Sequence, residues 1–126
     1  MKVFVFSVPH TGTRFVTDML RAVGVEVQQV HFNGNYQPIM WEGDRIAIVP
    51  RRDKTDTIDS WTRRKRSDPP FDKTWQEMEE FVEEFEPYQV HIDDPDKRIA
   101  DVKALEELIG QPLNPDFSIK VGHFEG

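Results

Sequence analysis

Residues 2–8, Lys-Val-Phe-Val-Phe-Ser-Val, make an almost unbroken run of β-branched and aromatic residues, and this run limits the fold more than any other feature. A strand with one solvated face alternates apolar and polar side chains, whereas a strand apolar at successive positions must be covered on both faces. Helices laid on either side of a parallel sheet supply that cover. After the turn at residues 9–13, Phe15, Val16, Met19, Leu20 and Val23 recur at helical spacing, and Gly24 stands where a glycine commonly ends a helix. The chain therefore opens with a strand, a turn and an amphipathic helix.

The same alternation continues. Val25 to Phe32 carries Val25, Val27, Val30 and Phe32 and predicts a second strand; Asn33 to Asp44, with its Gly, Asn and Pro residues, predicts a loop. Arg45 to Pro50 is a third, buried strand through Ile46, Ala47, Ile48 and Val49. A helix from Asp56 to about Arg66, with Ile58 and Trp61 inward, is broken by Ser67-Asp68-Pro69-Pro70. Asp72 is expected to cap a helix with Trp75, Met78, Val82 and Phe85 on one stripe, ended by Pro87. Tyr88 to Ile92 predicts a fourth strand. Asp94-Pro95 then reads as an N-cap followed by a first-turn proline, opening a helix with Ile99, Val102, Leu105, Leu108 and Ile109 that closes at Gly110. Strands alternating with helices predict a single domain over residues 1–126, a three-layer α/β/α fold with a mostly parallel sheet of about four strands. The strand at 2–8 should be central, and a ligand that presents two phosphates to both carboxyl ends requires the strand at 45–50 beside it.

Composition narrows the function classes. A chain of 126 residues that is 37% hydrophobic and 31% charged suits one soluble domain. No apolar run approaches the ~18 residues of a membrane span, and the opening apolar stretch falls short of a signal-peptide core of about 7–15 residues. A cytoplasmic protein is expected, with no membrane partner. With no cysteine, disulfides and thiol chemistry are excluded. The net charge of −7 argues against a nucleic-acid partner, which calls for a basic footprint. Charge is uneven, however. Arg51, Arg52, Lys54 and Arg63 to Arg66 form a basic segment, while Glu77, Glu79, Glu80, Glu83, Glu84 and Glu86 form an acidic one that predicts a solvated helix face.

The turn Pro9-His10-Thr11-Gly12-Thr13, placed between a buried strand and a helix, has the makings of an anion site. Backbone N–H groups at a helix N-terminus point at a bound anion, and the helix dipole favours negative charge there. Gly12 would let the backbone come close, Thr11 and Thr13 carry hydroxyl donors, and Arg14 brings a permanent charge. No Gly-x-x-x-x-Gly-Lys-Ser/Thr occurs in the chain, so this is not a Walker A loop. An ordinary strand-to-helix turn with a threonine cap is the plain alternative.

The run Ser7-Val8-Pro9-His10-Thr11-Gly12-Thr13-Arg14-Phe15 resembles the 5′-phosphosulfate loop of sulfotransferases. Val49-Pro50-Arg51-Arg52-Asp53, with Ser60 eight residues after Arg52, is similar to that family's 3′-phosphate motif. Val30-His31, twenty-one residues before Arg52, resembles the Thr-His pair that supplies its catalytic base. Val90 to Leu113 resembles its late strand, acidic turn and last helix, and Ile119-Lys120-Val121-Gly122-His123-Phe124 its C-terminal nucleotide lid. These segments occur in family order, in a chain about half the usual length.

The resemblance implies a P-loop-like fold that binds 3′-phosphoadenosine 5′-phosphosulfate and transfers the sulfuryl group to a hydroxyl or amine acceptor. It implies a cradle of Pro9, His10, Thr11, Gly12, Thr13 and Arg14, a 3′-phosphate site of Arg52 and Ser60, lid contacts from Lys120 and Gly122, and His31 as base. No metal is expected. His10 departs from the pattern, standing where a lysine or arginine contacts the bridging oxygen. A neutral imidazole, ordinary pKa about 6.5, stabilises developing charge there less than a fixed cation. Two other classes stay open: a non-catalytic nucleotide- or phosphate-binding domain of the same fold, and a small kinase-like phosphotransferase.

Overall fold

The computed structural model describes residues 2–8, 11–32, 45–63 and 70–115. Four strands, β1 (Lys2–Ser7), β2 (Glu26–His31), β3 (Arg45–Arg51) and β4 (Tyr88–His91), form one sheet in the order β2-β1-β3-β4, and all three pairings are parallel. The helices are α1 (Thr13–Arg21), α2 (Lys54–Arg63), α3 (Phe71–Phe85) and α4 (Pro95–Ile109). The fold is thus α/β with β1 central and β3 beside it, as expected.

The continuous apolar run of β1 is explained by two separate cores. Val3 and Val5 face one side, where they meet Phe15, Val16, Met19 and Leu20 of α1 and Val102 and Leu105 of α4. Phe4, Phe6 and Val8 face the other, against Trp61 of α2 and Met78 and Phe81 of α3. Alternate side chains of one strand thereby serve opposite layers. Within the second layer Phe81 is the hub, with ring centroids 4.7 Å from Phe6 and 5.5 Å from Phe32. From β1 the chain steps one way to β2, and from β3 the other way to β4. Parallel crossovers of one hand then require α1 and the α2–α3 pair to lie on opposite faces, as they do.

Local signals account for most helix ends. Gly24, at φ 83°, closes α1: its N–H bonds to Arg21 O and that of Val25 to Leu20 O, the paired arrangement that left-handed glycine permits after a helix. Asp94 caps α4, its carboxylate accepting from the N–H groups of Asp96 at 3.0 Å and Lys97 at 3.3 Å.

Three expectations need correction. The buried residues of α3 are Thr74, Met78 and Phe81, while Trp75, Val82 and Phe85 are only partly covered. The helix is rotated so that Phe81 meets Phe6, and Thr74 tolerates burial because its hydroxyl donates to Pro70 O at 3.2 Å. Likewise α2 buries Thr57, Ser60 and Trp61 and leaves Ile58 38% exposed; the Thr57 hydroxyl is satisfied by Asp53 O at 2.8 Å. Finally α3 starts at Phe71 with no side-chain cap, so Asp72 lies inside the first turn.

Beyond α4 the chain doubles back. Leu113 N–H donates to Glu106 Oε1 at 2.7 Å, and the buried Arg98 in the first turn of α4 donates to Pro115 O at 3.0 Å and Ile92 O at 2.9 Å. Residue 115 is therefore tied to the edge of the sheet where the strands end.

Candidate functional site

In an open parallel sheet the crevice lies at the strands' carboxyl ends, where the strand order reverses. Here the reversal falls between β1 and β3. The segments that the sequence marks for anion binding follow those two strands.

At the end of β1, Thr11 is fully buried and its hydroxyl donates to Val8 O at 2.6 Å. That bond holds the turn, so any contribution of Thr11 to an anion comes from its backbone. Gly12 precedes α1 at φ 92°, a left-handed conformation that glycine alone adopts freely. A Cβ there would also collide with Ile92 Cδ1. The glycine thus suits both the left-handed backbone and the close packing of the turn on Ile92, just past β4. Thr13 opens α1 and Arg14 is exposed in its first turn. The N–H groups of this first turn have no acceptor within the helix. Pro9 and His10 lie outside the described residues.

A hydrogen-bond chain crosses from this turn to β2. The Thr13 hydroxyl donates to Ser7 Oγ at 2.7 Å, and Ser7 Oγ lies 3.3 Å from His31 Nδ1. Parallel register places Ser7 opposite His31. Ser7 is fully buried, whereas His31 is exposed at the strand end. Ser7 carries no role in the sequence reading beyond its place in the motif. The signal that could have found it is a lone hydroxyl ending an otherwise apolar strand.

The end of β3 is built from charges. Arg51 donates to Glu79 Oε1 at 2.6 Å and Gln89 Oε1 at 2.9 Å. Its guanidinium lies 6.0 Å from the Trp75 ring centroid, and the Lys54 ammonium 5.9 Å from the same ring. Trp75, expected in the core, is a half-buried platform for two cations. Arg52, the expected 3′-phosphate ligand, has a side chain only 10% exposed, with Nε 4.0 Å from Asp93 Oδ1. The other oxygen of Asp93 accepts the Asp53 N–H. Asp53 in turn starts α2, its carboxylate accepting from Asp56 N at 3.0 Å. One carboxylate from the β4–α4 turn thus sits on a guanidinium and a backbone N–H beside a helix start. Ser60, the other expected 3′-phosphate contact, is fully buried on α2.

Arg51, Arg52, Asp53, His91, Asp93 and Lys97 line a shallow cleft at this end. His91 has its N–H and Nδ1 at 2.8 Å and 3.0 Å from one oxygen of Asp101, which caps a donor of edge strand β4. Lys120 and Gly122, expected in a lid, lie outside the described residues. Among the described residues no cluster of His, Asp and Glu with metal-ligand geometry occurs, and no helix is long and apolar enough to cross a membrane. Compared with protein-family models, curated proteins and solved structures, the chain matches none.

Proposed function

We propose that the protein binds a 3′-phosphorylated adenosine 5′-phosphosulfate at the carboxyl edge of β1 and β3 and transfers its sulfuryl group to a hydroxyl or amine acceptor, as its motif order resembles that of sulfotransferases. The observation that carries this reading is the adjacency of β1 and β3. It sets the turn at residues 11–14 and Arg52 along one edge, where one nucleotide could present its 5′ and 3′ anions to both. The first-turn N–H groups of α1 and the charge of Arg14 would receive the 5′ end, and Arg52 the 3′-phosphate once Asp93 yields it.

In such a transfer the acceptor oxygen or nitrogen forms a bond to sulfur while the bridging sulfur–oxygen bond breaks. The acceptor proton passes to His31, and 3′-phosphoadenosine 5′-phosphate departs. Positioning and electrostatics would supply most of the rate, as in phosphoryl transfer.

The test is a comparison of 3′-phosphoadenosine 5′-phosphate with ADP by calorimetry and thermal shift, since a ligand of the folded state raises apparent stability. The bisphosphate is expected to bind more tightly. Equal affinity for ADP would overturn the nucleotide assignment, and tight binding with no transfer to a broad acceptor panel would leave a binding domain.

A further inference from the structure

The shallow cleft past β3 and β4 holds an imidazole whose orientation is fixed. His91 stands opposite Arg51 in the parallel register. With Arg52 and Lys97 it lines that cleft, of about 200 Å³. Its backbone N–H donates to Asp101 Oδ2 at 2.8 Å, and its Nδ1 lies 3.0 Å from the same oxygen. An ionised carboxylate only accepts. A bare Nδ1 would set one lone pair against another at that distance, so Nδ1 carries a proton whether the ring is neutral or charged. In the neutral ring Nε2 then holds the lone pair. Among the described residues every polar side-chain contact of His91 runs through Nδ1, and the side chain is 40% exposed. The three carboxylates of the cleft, by contrast, already face backbone donors. Asp53 accepts from the N–H of Asp56, Asp93 from that of Asp53, and Asp94 from those of Asp96 and Lys97. The cleft thus offers one uncommitted acceptor of set direction beside its cations.

We propose that His91, held by Asp101, reads the ribose 2′-hydroxyl of the bound nucleotide. The inference rests on the reading of Arg52 as the 3′-phosphate ligand. On ribose the 2′-hydroxyl and the 3′-phosphate occupy adjacent carbons, so a cleft that takes one receives both. The phosphate needs donors, which Arg52 and Lys97 supply. The hydroxyl needs an acceptor for its proton, and Nε2 is that acceptor. His91 is accordingly a specificity contact that favours a ribonucleotide over its 2′-deoxy analogue. Asp101 is the positioning residue behind it, because it fixes which ring nitrogen is bare.

Calorimetry with 3′-phosphoadenosine 5′-phosphate and its 2′-deoxy analogue tests this at a pH where His91 is neutral, beside ring-nitrogen NMR of the full ¹⁵N-labelled chain. The ribonucleotide is expected to bind roughly 2- to 10-fold more tightly, the range of one neutral hydrogen bond. His91→Ala should remove that preference while both nucleotides still bind. Asp101→Leu frees the ring and should do the same, whereas Asp101→Asn keeps an acceptor oxygen and should retain the preference. In the unaltered protein NMR should show Nδ1–H with Nε2 bare, and the Nε2 signal should shift with the ribonucleotide alone. That readout serves if a variant does not fold. Equal affinities for the two nucleotides, a preference that survives in His91→Ala, or a proton on Nε2 of the neutral ring overturns the inference and leaves the nucleotide reading standing. Failure of the bisphosphate to bind overturns both.

Discussion

The two halves of the sheet's carboxyl edge are built from different chemistry. At β1 and β2 the linked groups are hydroxyls and an imidazole: Thr13, Ser7 and His31 form a chain through a fully buried serine, Thr11 bonds separately to Val8 O, and Arg14 stands exposed beside them. At β3 and β4 they are charged: Arg51 with Glu79, and Arg52 with Asp93. The hydroxyl half depends on direction. A displaced hydroxyl breaks its chain, while salt leaves it untouched. The charged half tolerates small displacements, but salt screens its reach beyond about 8–10 Å at ordinary ionic strength. A ligand with anions at both ends would be oriented by the first half and attracted by the second.

The largest expected effect separates the halves at the level of chemistry. His31→Ala should lower sulfuryl transfer by roughly 10²–10⁴-fold, the usual contribution of a general base, with nucleotide affinity nearly unchanged. Steady-state rates beside calorimetry check it. A loss of affinity as large as the loss of rate would make His31 a ligand contact and erase the division of labour.

Arg52→Ala tests the charged half. Removing its charge-assisted hydrogen bonds should weaken the bisphosphate by roughly 1.5–3 kcal/mol and leave ADP affinity little changed. Calorimetry with both nucleotides reads the difference. Equal weakening of both would assign Arg52 to general attraction.

Gly12→Ala tests the rigidity of the hydroxyl half. The left-handed backbone and the collision with Ile92 should together cost on the order of 1–3 kcal/mol of stability, measured by denaturant unfolding. A paired Ile92→Val should recover part of the loss, because the collision involves the Cδ1 that valine lacks.

The smallest effect is expected at Asp93. Asp93→Asn keeps an acceptor for the Asp53 N–H but removes the charge competing for Arg52. Bisphosphate affinity should rise by about 1 kcal/mol or less, the scale of a partly exposed ion pair. Weaker binding would mean that Asp93 holds Arg52 in its binding position.

Much of the fold was legible because its signals are local. The apolar run at residues 2–8, the glycine after α1 and the Asp94-Pro95 start of α4 act within a turn of their own position. Where such signals failed, a self-satisfied polar residue was the cause. Thr74 and Thr57 hydrogen-bond to carbonyls four residues back, so each helix could bury a threonine face that hydropathy assigns to solvent.

The sequence by itself determined that strands and helices alternate, that β1 is covered on both faces and that a turn rich in donors follows it. Only the tertiary structure decided what those donors face. Strand order paired β1 with β2 and β3 with β4, which set Ser7 beside His31 across 24 positions and Asp93 beside the Asp53 N–H across 40. Periodicity and capping act over a few residues. Contacts at such separations are selected by which faces can be buried together, and no local pattern encodes them.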